Sequence, residues 1–162
     1  MLVRLSRPGQ NGMTLIELMI ALSIIAILAA VGGPAMSGMI QNRNADALRD
    51  TLEMDMAFAR SQAVVLANTV SITPLSGNWD TGWQILQGAT LLRQRGSAAQ
   101  PVAESGTLSA TYTAENPLSF DNQGRATTGS VIVAINGCRG DHRYTININF
   151  IGQTVVNTGV CP

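Results

Sequence analysis

Few side chains in this sequence are placed to do chemistry. Glu17 is the only charge in the 19-residue run from Met13 to Val31. A carboxylate at the centre of a membrane helix costs about 2.5–3.5 kcal/mol, so its presence asks for a partner or a role. Cys138 and Cys161 are the only cysteines. They lack Cys-x-x-Cys spacing, which argues against a redox switch. A single intramolecular pairing is available to them, and export would favour it. Arg125, Arg139, His142 and Arg143 could converge at one end of the C-terminal strands, where arginines grip phosphates. His142 is the only histidine. Its neighbour Asp141 would point to the opposite face of a strand. No nucleophile–base pair, metal-ligand cluster or phosphate loop is evident, so neither an enzyme nor a cofactor nor a metal is expected.

Composition agrees. The chain has 162 residues, enough for one domain plus a membrane segment. All ten of its basic residues are arginine, balanced by ten acidic residues. Arg4 and Arg7 precede Gly12, so the remainder is mildly acidic, which implies no global grip on nucleic acid.

The elements that must position these residues can be read in order. Met13–Val31 is apolar enough to enter a bilayer, with a basic leader that keeps its start cytoplasmic. A secretory signal core is the ordinary alternative. The run is long for one, and helical periodicity resumes after Pro34. Gly32-Gly33-Pro34 predicts a kink or local melting. Beyond it, Ala45, Leu48, Leu52, Met56, Ala59, Ala63 and Leu66 form an apolar stripe at three- and four-residue steps. Arg43, Asp46, Arg49, Asp50, Glu53, Asp55 and Arg60 read as a solvated face, with Arg49 and Glu53 four apart and able to pair. The helix, Thr14 to about Leu66, would end at Ala67-Asn68, with Asn in the capping geometry.

After Asn68, short β-branched runs separated by Gly, Pro, Asn and Asp predict strands at 70–73, 83–86, 91–95, 107–113, 118–120, 131–135, 143–151 and 153–156. Tyr144, Ile146, Ile148 and Phe150 would share one buried face. Gly152 is the expected turn, and 94–106 reads as a mobile loop. Trp79 and Trp83 are expected as one core anchor and one edge residue.

Gly12-Met13-Thr14-Leu15-Ile16-Glu17 resembles the processing site of type IV pilins and type II secretion pseudopilins. The segments Phe58–Val64, Trp79–Trp83, Leu118–Arg125, Cys138–Arg143 and Gly152–Cys161 resemble one branch of that family. The branch is the FimT/FimU minor pilins, with the type II secretion minor pseudopilin H. The resemblance covers nearly the whole chain. It implies an α+β, pilin-like fold in which a long N-terminal helix, its first half transmembrane, packs on an antiparallel β-sheet domain. It also implies a cleaved leader (1–12), a transmembrane and assembly helix (13–40) and a periplasmic globular domain (41–162). The last divides into an amphipathic helix, 41–67, and a β domain, 68–162.

Several functional expectations follow from the resemblance. A prepilin peptidase cuts between Gly12 and Met13, and the new N-terminus of Met13 is methylated. Glu17 pairs with that amine on its own chain or on a neighbour, and a paired buried charge fixes register. Snorkelling of Glu17 to the interface is the bland alternative. Cys138 and Cys161 close a C-terminal disulfide. The expected partners are other major and minor pilins, the prepilin peptidase, the inner-membrane assembly platform and inner-membrane lipid. The expected location is the inner membrane, single-pass, with the C-terminal domain periplasmic, and then the pilus at the cell surface. A minor pilin acting in pilus assembly and initiation is the leading expectation, and a type II secretion minor pseudopilin the alternative. A DNA-binding minor pilin for natural transformation is a third. DNA receptors of the FimT type carry a basic Gly-Arg-x-Arg motif. The matching stretch here, Gly152-Gln153-Thr154-Val155, lacks both arginines, which leaves Arg125, Arg139 and Arg143 as the candidate DNA contacts.

Overall fold

The computed structural model describes residues 13–104 and 106–162, the side chains of residues 31–35 excepted. Two compact units result, Met1–Met36 and Ser37–Pro162. One helix, α1 (Leu15–Val65), crosses the boundary, and its assignment is unbroken at Gly32-Gly33-Pro34, without the local melting expected there. Gly12 and the leader lie outside the described residues.

In the second unit, α1 is followed by β1 (Val70–Leu75), β2 (Asn78–Gln87), β3 (Thr90–Gly96), β4 (Leu108–Ala110), β5 (Leu118–Phe120), β6 (Gly129–Val133), β7 (Arg143–Ile148) and β8 (Thr154–Gly159). The strands form two four-stranded antiparallel sheets, ordered β3-β2-β1-β5 and β4-β6-β7-β8. The α+β, pilin-like expectation of a helix on antiparallel sheets holds.

One core joins the helix stripe to both sheets. Ala45, Leu48, Leu52, Met56, Ala59 and Ala63 meet Ile72, Trp83, Ile85 and Phe120 from the first sheet and Val131, Val133 and Ile146 from the second. Leu66, expected in the stripe, is exposed, because the helix has already ended. The cap also differs from expectation. Ala67, not Asn68, takes the left-handed position, at φ 49°. Asn68 N–H returns to Ala63 O at 3.1 Å and Ala67 N–H to Val64 O at 3.3 Å, the pairing of a Schellman cap.

Strand boundaries shift for identifiable reasons. β4 stops at Ala110 rather than Thr113, because Tyr112 turns into the core and its carbonyl accepts the Trp79 indole N–H at 3.0 Å. β6 lies two residues earlier than expected, at Gly129–Val133. Its end comes where Ala134 N–H crosses to Thr107 O at 2.8 Å. β7 ends at Ile148, not Ile151, because Asn149 starts a turn: its N–H donates to Gln153 O at 3.1 Å, and its Oδ1 accepts Gln153 N–H at 2.9 Å. Phe150 therefore leaves the buried face and is 60% exposed. β8 continues to Gly159, its polar Asn157 and Thr158 paired with Thr145 and Tyr144.

Gly82 shows why a glycine sits between the tryptophans. Its φ is 133°, it faces Gly96 across the β2–β3 pair, and a Cβ there would lie 2.0 Å from Arg95 O. Trp79 and Trp83 are both buried, their ring centres 6.3 Å apart, so neither is an edge residue.

Candidate assembly surface and the charge clusters

Thr14 starts α1. Its Oγ1 accepts Glu17 N–H at 3.3 Å and its carbonyl accepts Leu18 N–H at 3.2 Å, as an N-cap should. Thr-x-x-Glu is capping-box spacing, and an acid in the first turn is favoured by the helix dipole. Around Glu17 nothing is buried. Met13 is 67% exposed and Leu28 66%, and each large apolar side chain between them is at least half exposed. Ser23 turns its hydroxyl back onto Met19 O at 2.8 Å. Among the described residues, then, Glu17 is the one carboxylate on an otherwise apolar rod, with no cation beside it. An exposed apolar surface of this extent must be covered by lipid or by other chains. Among the described residues, no helix is long and apolar enough to cross a membrane.

The helix charges in the second unit are not a uniformly solvated face. Asp55 is 0% exposed. Its carboxylate accepts Trp83 Nε1–H at 2.9 Å, Arg93 Nη1 at 2.7 Å and Arg95 Nε at 3.0 Å. Burial pushes its pKa up, but the hydrogen bonds from Arg95, Arg93 and Trp83 together outweigh burial and hold it below the ordinary carboxylate value. Arg93 also stacks over Phe58, 3.7 Å from the ring centre. The clue in the sequence was position: Asp55 lies three residues after Leu52 and four before Ala59, inside the apolar stripe. Arg93 and Arg95 are two apart, on one face of β3.

Asp46 takes part in a second cluster. Its Oδ1 accepts Tyr144 Oη–H at 2.5 Å and lies 2.9 Å from His142 Nδ1. The tyrosine bond, then the histidine bond, lowers the Asp46 pKa. Burial and the same carboxylate push Tyr144 up to about 12. Arg49 lies over the Tyr144 ring at 5.0 Å, besides pairing with Glu53 at 3.5 Å as expected. Arg60, also expected on a solvated face, donates to Gly124 O at 3.0 Å and Ile151 O at 3.1 Å, joining the turns after β5 and β7.

Asp80 gave no signal in the sequence. It is buried, and its two oxygens accept Gly106 N–H and Leu108 N–H, each at 2.6 Å. Ala103 N–H donates to Asp80 O at 3.1 Å. The segment expected to be a mobile loop is thus anchored at its far end, and its first residues, through Gly96, belong to β3.

Arg125 lies apart from Arg139, with which it was expected to converge. Arg125 pairs with Asp121 at 2.7 Å and lies 5.6 Å over Phe150, beside the Gly124 carbonyl that Arg60 holds. Arg139 donates its N–H to Asn42 Oδ1 at 2.7 Å. Asn42 and Arg60 are 18 residues apart on α1, about 27 Å at 1.5 Å per residue. Arg143 is exposed at the start of β7. Cys138 and Cys161 form the expected disulfide, with Cα atoms 5.7 Å apart. Among the described residues, no group of His, Cys, Asp and Glu is placed to hold a metal.

A long N-terminal helix laid on antiparallel sheets defines a pilin-like protein. Residues 49–152 match the family described as "Type II transport protein GspH", and the chain belongs to that family. Residues 7–33 match the prokaryotic N-terminal methylation motif. Among solved structures, the type IV minor pilin FimU of Pseudomonas aeruginosa is similar in two crystal forms. In one, identity is 21% and TM-score 0.50, covering 74% of this chain and 98% of that one. In the other, identity is 18% and TM-score 0.48, covering 83% and 99%. Comparison with curated proteins gives no match.

Proposed function

We propose that this chain is a minor pilin of the type IV pilus, acting in pilus assembly and initiation. The observation that carries this reading is the lone Glu17 on the exposed apolar first turns of α1, inside a match to the methylation motif. The prepilin peptidase cuts between Gly12 and Met13, the Met13 amine is methylated, and the helix stores the subunit in the inner membrane with the second unit in the periplasm. On leaving lipid, the helix packs against those of other pilins. Glu17 then pairs with a neighbouring subunit's N-terminal amine, which offsets its burial and sets the axial register. The assembly platform and major and minor pilins are the partners.

Glu17→Ala tests the pairing. The variant should be processed and retained in the membrane yet absent from sheared filaments. Incorporation at the level of the unchanged protein would refute the pairing.

The family match favours a second reading, a minor pseudopilin of type II secretion using the same helix contacts. Deleting the gene separates the two. Loss of surface pili with secretion intact supports the first, and loss of secretion with pili intact supports the second.

A further inference from the structure

The Cys138–Cys161 bridge lies in a segment whose contacts fall on one face of a short stretch of α1. Gly38, Asn42 and Asp46 are spaced four apart, so they line up along that face. The Arg139 side chain covers Gly38 so closely that a Cβ there would lie 2.8 Å from Cδ and Nε. Arg139 N–H donates to Asn42 Oδ1, and His142 Nδ1 lies 2.9 Å from the Asp46 carboxylate that Tyr144 of β7 also holds. The segment thus tracks the helix for more than two turns, in chain order. Cys161 N–H donates to Gly140 O at 3.0 Å, so the chain's last residues are tied to the same segment.

The apolar core of α1 begins only at Ala45. Helix residues before it, from Gly38, are docked by this segment rather than by the stripe. The segment itself, residues 134–142, lies between β6 and β7 and belongs to neither sheet. Its hold depends on what limits its own freedom.

We propose that the 134–142 segment, tied to the C-terminus by the structural Cys138–Cys161 bridge, is a clasp that docks Gly38–Asp46 of α1 on the β domain and loses its hold on those turns if the bridge is reduced. Closing it takes two electrons and two protons from the two thiols and passes them to a disulfide-bearing oxidant, which leaves as a dithiol. Opening is the reverse: a dithiol attacks one sulfur, a mixed disulfide forms, the second reductant thiol resolves it, and both cysteines end as thiols. The clasp fixes how much of α1 belongs to the globular unit and does not depend on which filament the protein serves.

Hydrogen–deuterium exchange of the full chain in detergent micelles tests this, comparing the oxidised protein, the protein reduced with dithiothreitol, and Asn42→Ala with its bridge intact. Exchange at 38–46 should rise on the order of tenfold on reduction, while 52–63 stays within about twofold. Asn42→Ala should raise exchange in the same stretch with the bridge closed. An unchanged 38–46 stretch after reduction overturns the clasp. So does a uniform rise along the helix, which would make the bridge a global staple.

Discussion

The carboxylate of Asp55 and the indole N–H of Trp83 meet at 2.9 Å inside the domain, and this bond joins the C-terminal third of α1 to the middle of β2. Arg93 and Arg95 complete the site from β3, so one acid on the helix organises two strands of the first sheet. The indole brings a donor into the core, and only an acceptor on the helix satisfies it there.

Replacing Asp55 with alanine strands the Trp83 donor and leaves two guanidinium groups without their anion. Breaking a fully buried pair costs about 3–5 kcal/mol. Arg93 and Arg95 side chains are 34% and 41% exposed and regain some solvation, so a loss of roughly 2–3 kcal/mol is expected. Urea denaturation followed by tryptophan fluorescence measures it, and a loss under about 1 kcal/mol would show that the cluster contributes little.

Acid should destabilise the domain through the same carboxylates. Asp55 and Asp46 both have folded pKa values below the ordinary one. Their stabilisation is fully present above the unfolded carboxylate value, about 4, and is lost as pH falls through the lowered folded values. The urea midpoint should hold from neutral pH to about 5 and decline below 4, and Asp55→Asn should flatten that decline.

Gly82→Ala places a Cβ against Arg95 O in a backbone conformation that L side chains avoid. A destabilisation of about 3 kcal/mol or more is expected. At Gly88, φ is 57° and no atom lies within 4 Å of where an added methyl would sit, so Gly88→Ala should cost only about 1 kcal/mol. Thermal melts of the two variants separate a close approach from turn geometry alone.

Asp80→Ala frees the Gly106 and Leu108 amides and unfastens the segment between β3 and β4. Subtilisin should then cut between residues 97 and 107 several times faster than in the unchanged protein, with the helix intact. Equal cutting rates would show that Asp80 does not hold the segment.

Local patterns along the chain were enough to read the N-terminal methylation motif, the apolar run with its lone Glu17, the helix stripe from Ala45 to Ala63 and most of the strands. Each depends on neighbours within a few residues, where periodicity of 3.6 or 2 and turn residues act directly. The disulfide was legible because two cysteines allow a single intramolecular pairing. Only tertiary structure decided the fates of the charges. Asp55 looked like one more helix acid until β2 and β3 crossed it. Asp80 became an anchor because the segment before β4 folds back over it. Arg125 and Arg139 were separated because each follows a different turn, one beside Arg60 and the other beside Asn42 of α1. A charge's free energy is set by the dielectric and the partners around it, and residues tens of positions away supply both.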